Sequence, residues 1–254
     1  MKLTTFITGC ALGLAIFLFA QKRRPEAMPV TFHGIVDLTQ SEPNALATTN
    51  KVGNRGPANR DQRSARLQAP GATRIEAPAR FASSLWTVDQ IPPERLMGQL
   101  AVLDVRAKVK SDPGYEISMQ DIIQWEQKNG QIPLGAVVVA QTGWKPDETV
   151  KINSGHPGAK SKSIVQIPGY SREAAKFLVD ARNVRALGID TARVDSGASD
   201  NSQVRQYTLS HSVYHLENVA SLDRVPAIGA VVMVAPMKLE GRADGPVRVL
   251  ALVK

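Results

Sequence analysis

The sequence predicts an α/β domain, because apolar runs typical of buried strands alternate with amphipathic helical segments. Residues 101–105 and 135–140 are almost entirely apolar, as expected of strands that are covered on both faces. A helical pattern follows each of these runs in the chain. A length of 254 residues with 43% hydrophobic residues allows one large hydrophobic core.

The first helix is predicted from its two ends. Ser118 can cap its N-terminus, with Asp121 three residues later, and Gly130 is a typical C-terminal residue. The apolar stripe between these ends consists of Met119, Ile122 and Ile123. The spacing therefore predicts an amphipathic helix between the two strands.

The second helix is predicted to begin at Ser171. Its apolar positions at helical spacing are Ala174, Phe177, Leu178 and Ala181. Three more strands are predicted from the apolar runs at residues 187–190, 230–234 and 247–253. The class is therefore α/β, within a single domain.

The N-terminus carries a second type of signal. An apolar run at residues 3–20 follows Lys2, which is typical of a signal peptide or a membrane anchor. The cations Lys22, Arg23 and Arg24 favour retention of that side in the cytoplasm, so export and uncleaved anchoring both stay open. We expect residues 1–24 to be this segment, and a bacterial envelope location, either periplasmic or anchored in the inner membrane.

The charge balance favours anionic partners without naming one. The formal net charge is +8, and residues 40–70 form a basic stretch with few large apolar residues, predicted to be a surface loop. Aromatic residues make up 5% of the chain, so few side chains could stack on nucleic-acid bases. The single cysteine, Cys10, excludes an internal disulfide. No specific nucleic-acid partner is expected.

A set of short motifs follows in a fixed order along the chain. They are Asp37-Leu38-Thr39, Thr87-Val88-Asp89-Gln90-Ile91-Pro92, Asp104-Val105, Thr142-Gly143-Trp144, Pro168-Gly169-Tyr170-Ser171, Gly188-Ile189-Asp190-Thr191, Leu216-Glu217-Asn218-Val219 and Pro236-Met237-Lys238-Leu239-Glu240-Gly241. In this order they resemble the metal-dependent cyclase and kynurenine formamidase family, which includes arylformamidases. The resemblance implies one cyclase-like domain over residues 25–254, with a swivelling β/α/β arrangement, a mixed sheet flanked by helices, and self-association into a homo-oligomer.

The family's hydrolases carry the motif H-x-x-G-T-H-x-D-x-P-x-H, whose first two histidines and aspartate bind two divalent metals, usually zinc. Its last histidine moves protons, and a later histidine and a glutamate complete the site. Residues 70–81 of this chain resemble that motif, with Thr73 and Pro78 setting the alignment. Five of the six functional positions then fall on Arg74, Glu76, Arg80, Arg205 and Glu217, and the position of the first histidine carries no side chain that could bind a metal.

The resemblance therefore implies a degenerate metal site. A guanidinium has no lone pair for a metal and stays protonated, so Arg74, Arg80 and Arg205 cannot replace histidine ligands. We expect no bound metal and assign no catalytic residue. With Glu76 and Glu217 the three arginines sum to about +1, close to two divalent ions with two carboxylates and a hydroxide. They are interpreted as an ion-paired former site or a pocket for a small anionic ligand, with surface arginines as the alternative.

His211 and His215 precede Glu217 with a spacing that invites a relocated metal site. Together with Glu76 and Glu217 they are weak metal candidates, and the segment is expected to be a loop that enters a strand. The preferred hypothesis is a non-hydrolytic ligand-binding or interaction module. The alternative is an amide hydrolase of the arylformamidase type, acting on N-formylkynurenine or a similar C–N bond through zinc or manganese.

Overall fold

The computed structural model describes residues 31–41, 71–145, 166–197 and 202–254. Within these ranges the strands are β1 Gly34–Asp37, β2 Arg74–Glu76, β3 Met97–Asp104, β4 Glu116–Ile117, β5 Val137–Gln141, β6 Gly169–Tyr170, β7 Ala186–Ile189, β8 Tyr214–Glu217, β9 Ile228–Pro236 and β10 Asp244–Val253. The α-helices are α1 Arg106–Ser111, α2 Met119–Asn129, α3 Arg172–Arg182 and α4 Gln203–Ser210.

Seven of the strands close into a barrel-like mixed sheet. The run β3, β5, β7 and β8 is parallel, and β2, β10 and β9 complete the ring through antiparallel pairings back to β3. β1 pairs with the far half of β10, outside this ring. The predicted α/β class and mixed sheet are confirmed, and the swivelling β/α/β arrangement stays a prediction.

The sheet separates two apolar layers. Along β5, Val137 and Val139 lie in the layer enclosed by the strands, while Val138 and Ala140 lie in the layer beneath the helices. All four are fully buried, which explains why this strand reads as a continuous apolar run. The helices cover the outer layer with Ile122 from α2 and Leu178 from α3.

The helix caps follow the sequence closely. Ser118 accepts a hydrogen bond from the backbone of Asp121, whose carboxylate in turn accepts from the Ser118 amide, and Gly130 ends α2 with φ of 88°. Ser171 caps α3 in the same way, and the three later predicted strands are confirmed as β7, β9 and β10. Two predicted stripe positions are wrong, because Met119 is 41% exposed and Ala181 is exposed.

Two predicted segments, residues 1–24 and most of 40–70, lie outside the described residues. Among the helices that are described, none is long and apolar enough to cross a membrane.

Candidate functional site: an arginine–carboxylate pocket

The candidate site lies on the helix-covered face of three neighbouring strands, β10, β2 and β8. In one row of their register Asp244 pairs with Glu76, which pairs with His215. Two rows further along, Arg74 pairs with Glu217. Side chains alternate between the faces of a strand, so these groups share one face, while Ile75 and Leu216 fill the enclosed core. The short strand β2 therefore places two site residues two positions apart.

Thr73 fixes the start of β2 relative to the strands around it. Its hydroxyl donates to the carbonyl of Asn218 at 2.6 Å and accepts from the amide of Gln40 at 2.6 Å. Asn218 ends β8 with φ of 54° and donates from its side chain to the carbonyl of Ala72. Because both strands are tied at the same end, Arg74 and Glu217 are held in register.

Arg205 reaches the site from helix α4, whose first turn is held by a distant carboxylate. Asp195 is 1% exposed, and its Oδ1 accepts from the backbone amides of Val204 at 2.9 Å and Arg205 at 3.4 Å. An acidic group at this position also suits the positive end of the helix dipole. The Asp195 carboxylate thereby sets where the Arg205 side chain begins.

The Arg205 guanidinium bridges the two glutamates. Its Nε lies 3.0 Å from Glu76 Oε2, and its Nη2 donates to Glu217 Oε1 at 3.4 Å. The Nε–H is buried and does not meet the angle of a hydrogen bond. The contact with Glu76 is therefore an ion pair with a short N···O distance but a poor hydrogen-bond angle. The Arg205 side chain is 27% exposed and both glutamate side chains are 11% exposed or less.

Glu76 has a second, fully buried partner in His215. His215 Nδ1 lies 3.0 Å from Glu76 Oε2, and His215 Nε2 lies 2.6 Å from the Thr208 hydroxyl. An ionised carboxylate only accepts hydrogen bonds, so the Nδ1 position carries the proton of this contact. Both nitrogens of His215 are therefore engaged, and neither points a lone pair at the pocket.

Arg74 and Arg80 share a third carboxylate, Asp244 at the start of β10. Arg74 Nη2 lies 3.4 Å and Arg80 Nη1 lies 4.0 Å from Asp244 Oδ2, and Arg80 Nε lies 3.5 Å from Glu76 Oε1. The Arg80 side chain is 53% exposed, compared with 14% for Arg74. Arg80 is thus the loosely held cation at the mouth of the site, while Arg74 belongs to its wall.

The two glutamates differ in their affinity for a proton. Burial disfavours the charged form of Glu76, yet the hydrogen bond from His215 and the electrostatic attraction of His215, Arg205 and Arg80 hold the pKa of Glu76 below its usual value. Burial, with a smaller contribution from the nearby charge of Glu76, raises the pKa of Glu217 to about 8. Two acidic groups in one site, one ionised and one neutral at pH 7, can accept and donate a hydrogen bond respectively.

These groups line one cavity of about 230 Å³, which is smaller than the pockets of about 300–1,000 Å³ that hold most drug-sized ligands. The lining residues are Arg74, Ile75, Glu76, Arg80, Arg205, Glu217 and Asp244. The three lining guanidiniums with ionised Glu76 and Asp244 sum to a formal charge of +1 while Glu217 is protonated, and Asp244 is also paired with Arg242, whose Nη2 lies 3.4 Å from Asp244 Oδ1.

The five positions that the family motif selects, Arg74, Glu76, Arg80, Arg205 and Glu217, therefore meet in one cavity. Asp244 was missed, because it precedes an apolar run and no local motif marks it. The charge predicted from two carboxylates omitted Asp244, so the total near +1 depends on protonated Glu217.

The two candidate histidines separate in the structure. His211 lies at the surface after α4, where its Nδ1 is 2.7 Å from the carbonyl of Tyr207 and its ring stacks on Tyr207. His215 lies within β8, so the expectation of a loop at this point is wrong for His215. The described residues contain no cluster of three or more His, Cys, Asp or Glu side chains placed to hold a metal ion.

The residues present do not fit the two-metal centre that the family resemblance implies. Arg74, Arg80 and Arg205 offer donors only, and the Arg205 guanidinium lies between the two glutamates that resemble retained ligands. The remaining imidazole, His215, has both nitrogens engaged. A divalent ion would have to displace a permanent cation to reach either glutamate.

Comparison with known proteins agrees with this architecture. An isatin hydrolase of Roseibium aggregatum is 28% identical over 172 residues, which are 65% of this chain and 63% of that protein, so the match spans less than two thirds of the relative. Isatin hydrolase A from Labrenzia aggregata, solved with benzyl benzoate, is 26% identical with a TM-score of 0.66, covering 87% of this chain and 93% of its own.

An isatin hydrolase solved with the product analogue thioisatinate is 26% identical with a TM-score of 0.61, over 72% of this chain and 71% of its own. The Cyclase family model matches residues 25–196, which is more than half of the sequence and includes β2 but neither Arg205 nor Glu217. The chain belongs to the cyclase family.

Proposed function

We propose that this chain is a non-hydrolytic member of its family that binds a small anion in the arginine–carboxylate pocket. The single observation that carries the proposal is the Arg205 guanidinium, 3.0 Å from Glu76 and 3.4 Å from Glu217. The guanidinium lies between the two carboxylates that metal ions would need as ligands. Its planar set of N–H donors is suited to binding carboxylate and phosphate oxygens. Arg80, half exposed at the mouth, offers a further cation to an incoming ligand.

Electrostatics supports an anion over a cation or a neutral molecule. The formal charge of about +1 is enclosed by a buried wall, where a charge interacts more strongly than in bulk water. The isatin hydrolase relative that was solved with thioisatinate gives a precedent for a small organic ligand in this family. We further propose self-association, and attachment to or export across a bacterial membrane through residues 1–24.

The test combines metal content with activity. We expect purified protein to contain far less than one equivalent of zinc or manganese by elemental mass spectrometry. We also expect no hydrolysis of isatin or N-formylkynurenine with either metal added, because Arg74, Arg80 and Arg205 lack ligand lone pairs. An isatin hydrolase prepared in parallel is the positive control. Near-stoichiometric metal with chelator-sensitive hydrolysis would overturn the proposal.

The second candidate is a metal-dependent amide hydrolase of the arylformamidase or isatin hydrolase type. The relatives favour it, and Glu76, Glu217 and Asp244 line one pocket, although the three carboxylates are not placed to share a metal ion in this structure. It requires the arginines to swing away from these oxygens when the metal binds. A rise in melting temperature on addition of zinc, absent from a Glu76→Gln variant, would support this candidate.

A further inference from the structure

We propose that a second copy of this chain binds to the outer face of strands β1, β10 and β9, together with the first residues of β3. The inference rests on the self-association proposed above and names the surface and the contacts that would join two copies. It does not depend on the anion proposed for the arginine–carboxylate pocket, because the lining of that pocket contains none of the residues of this face.

The face is apolar, although no described helix covers it. Its apolar side chains lie in two rows of the register, Ile35, Leu252 and Val231 in one row and Leu250, Met233 and Met97 in the other. Within the described residues, the apolar layer beneath the helices contains no residue of these three strands β1, β9 and β10. The alternate residues of β10, Val249 and Ala251, already fill the enclosed core. Strands that are apolar on both faces are normally covered on both, so this face lacks a cover.

The charged groups of the face favour a second copy as that cover. Arg248 Nη2 lies 2.8 Å from Asp37 Oδ2, and the two side chains are 64% and 41% exposed. Their opposite charges cancel, whereas the whole chain carries a formal net charge of +8. Two copies can therefore approach each other through this face with less repulsion than through an average part of the surface.

The register makes the face complementary to itself. Asp37 pairs with Leu250, and Arg248 lies two residues before Leu250 on β10, so the two charges stand diagonally across the pair of strands. A two-fold axis that lies in the interface and passes midway between Asp37 and Arg248 would place each charge over the opposite charge of the second copy. On an ideal sheet, with strands about 4.8 Å apart and about 3.4 Å per residue, Leu250 then lies close to its own copy.

The same rotation brings an exposed side chain to an apolar groove. Ile35 is 64% exposed on the edge strand β1, and the ideal-sheet spacing carries it over Ala235 and Pro236 of the second copy. These two residues and Met237 line a groove of about 440 Å³. Each copy thus offers one projecting isoleucine and one groove, as a two-fold contact requires.

The size of the face predicts a weak dimer. Its positions cover roughly 300 Å² of sheet in each copy, which is in the range of about 300–600 Å² for the largest apolar patches of monomers. Stable interfaces bury about 1,200–2,000 Å² in total, so we expect a dissociation constant of roughly 10–100 µM. At 1 µM the monomer should dominate, and unfolding measured at that concentration reports on single copies.

Sedimentation velocity of the whole protein from 1 to 200 µM measures the association. Asp37→Lys and Arg248→Glu each set like charges opposite each other across the axis, so either variant alone should dimerise at least tenfold more weakly. An equimolar mixture of the two variants restores opposite charges and should recover the dimer.

A second pair of variants tests the apolar contact without changing these charges. Ile35→Asp should weaken the dimer at least tenfold, because it places a carboxylate at the groove. Leu134→Asp is the matched control, since Leu134 is a 79% exposed apolar residue outside the face, and it should dimerise like the unmodified protein. The N-terminal apolar run is the same in all these proteins, so association through it would produce no difference between them. Ile35→Asp also tests the face if either charge variant does not fold.

The outcomes separate the face from self-association. A dissociation constant that is the same in Ile35→Asp, Asp37→Lys and the control would overturn the face and leave self-association standing. Single charge variants that weaken the dimer without recovery in the mixture would overturn the two-fold arrangement. A protein that stays monomeric up to 200 µM would refute self-association and the face together, while metal content and hydrolysis test the pocket separately.

Discussion

Arg205 offers the sharpest test of the ion-paired pocket, through the substitution Arg205→Met, which keeps most of the side-chain stem and removes the charge. Removing one partner of a buried ion pair costs about 3–5 kcal/mol. Three features lower that figure here: the Arg205 side chain is 27% exposed, Glu76 keeps His215, and Glu217 is largely protonated at pH 7. We expect a loss of about 2–3 kcal/mol in the free energy of unfolding, carried mainly by Glu76.

Urea denaturation at pH 7 measures this loss, and a fall in melting temperature of roughly 4–12 °C should accompany it. Arg248→Met is the matched control, because Arg248 pairs with Asp37 at 2.8 Å at the surface with 64% of its side chain exposed. That control should change stability by less than about 0.5 kcal/mol. The double variant Arg205→Met with Glu76→Gln should recover part of the loss, since the uncompensated charge is gone. If Arg205→Met is as stable as the control, Arg205 does not hold the pocket together.

Two further variants test the protonation and the packing around the site. Because the folded pKa of Glu217, about 8, is above the unfolded value of 4.5, the native state binds the extra proton, and stability should fall by about 2–3 kcal/mol from pH 6 to pH 9. Urea unfolding at both pH values should show that fall in the unmodified protein and a smaller one in Glu217→Gln; equal slopes would contradict the assignment. In Gly169→Ala a new Cβ would meet the Asp195 backbone at 2.4 Å, so we expect a loss of about 2 kcal/mol or more, compared with almost none for Gly34→Ala, which faces open space. Thermal melts that do not separate these two alanine variants would refute this packing argument.

The parts of the fold that the sequence predicts well are those with local signals. The capping box and the terminal glycine of helix α2 both belong to its local sequence, so both ends of the helix can be predicted from residues 118–130. The buried strand β5 is apolar on both faces because one face packs inside the sheet and the other beneath the helices. The exposure of Met119 depends on tertiary packing. The helical periodicity identifies an apolar stripe, but it does not show which residues at the edge of that stripe the core covers.

The parts that the sequence does not predict depend on contacts between distant segments. Helix α4 has few large apolar residues, and Ser202 caps it without a side-chain bond, while Asp195 from outside the helix holds its first turn. Asp244 enters the site because β10 pairs with β2, far away in the chain. Neither contact leaves a local sequence pattern. The start of the helix that carries Arg205, and the presence of Asp244 in the site, can therefore be seen only in the structure.

The family resemblance located the site residues, but the charge of the pocket follows from the assembled geometry. Counting Glu76 and Glu217 against three arginines gives about +1 from the sequence, whereas including Asp244 gives a neutral pocket if every group is ionised. The proton on Glu217 restores the positive charge, because a second buried carboxylate beside Glu76 is costly to ionise. In a metal centre the bound cations would supply the positive charge, whereas here the guanidiniums supply it and its total depends on the proton of Glu217.

This difference decides how the pocket can act. Arg74 and Arg205 form ion pairs with neighbouring carboxylates at 3.0–3.4 Å. These pairs connect β2, β8, β10 and α4. Arg80 differs, since its ion pairs are 3.5 and 4.0 Å long and half of its side chain is exposed. A site built only for stability would have no reason to leave one guanidinium so loosely paired at its mouth. Arg80 is therefore the group through which this pocket would recognise an anionic ligand, while the remaining pairs maintain its shape.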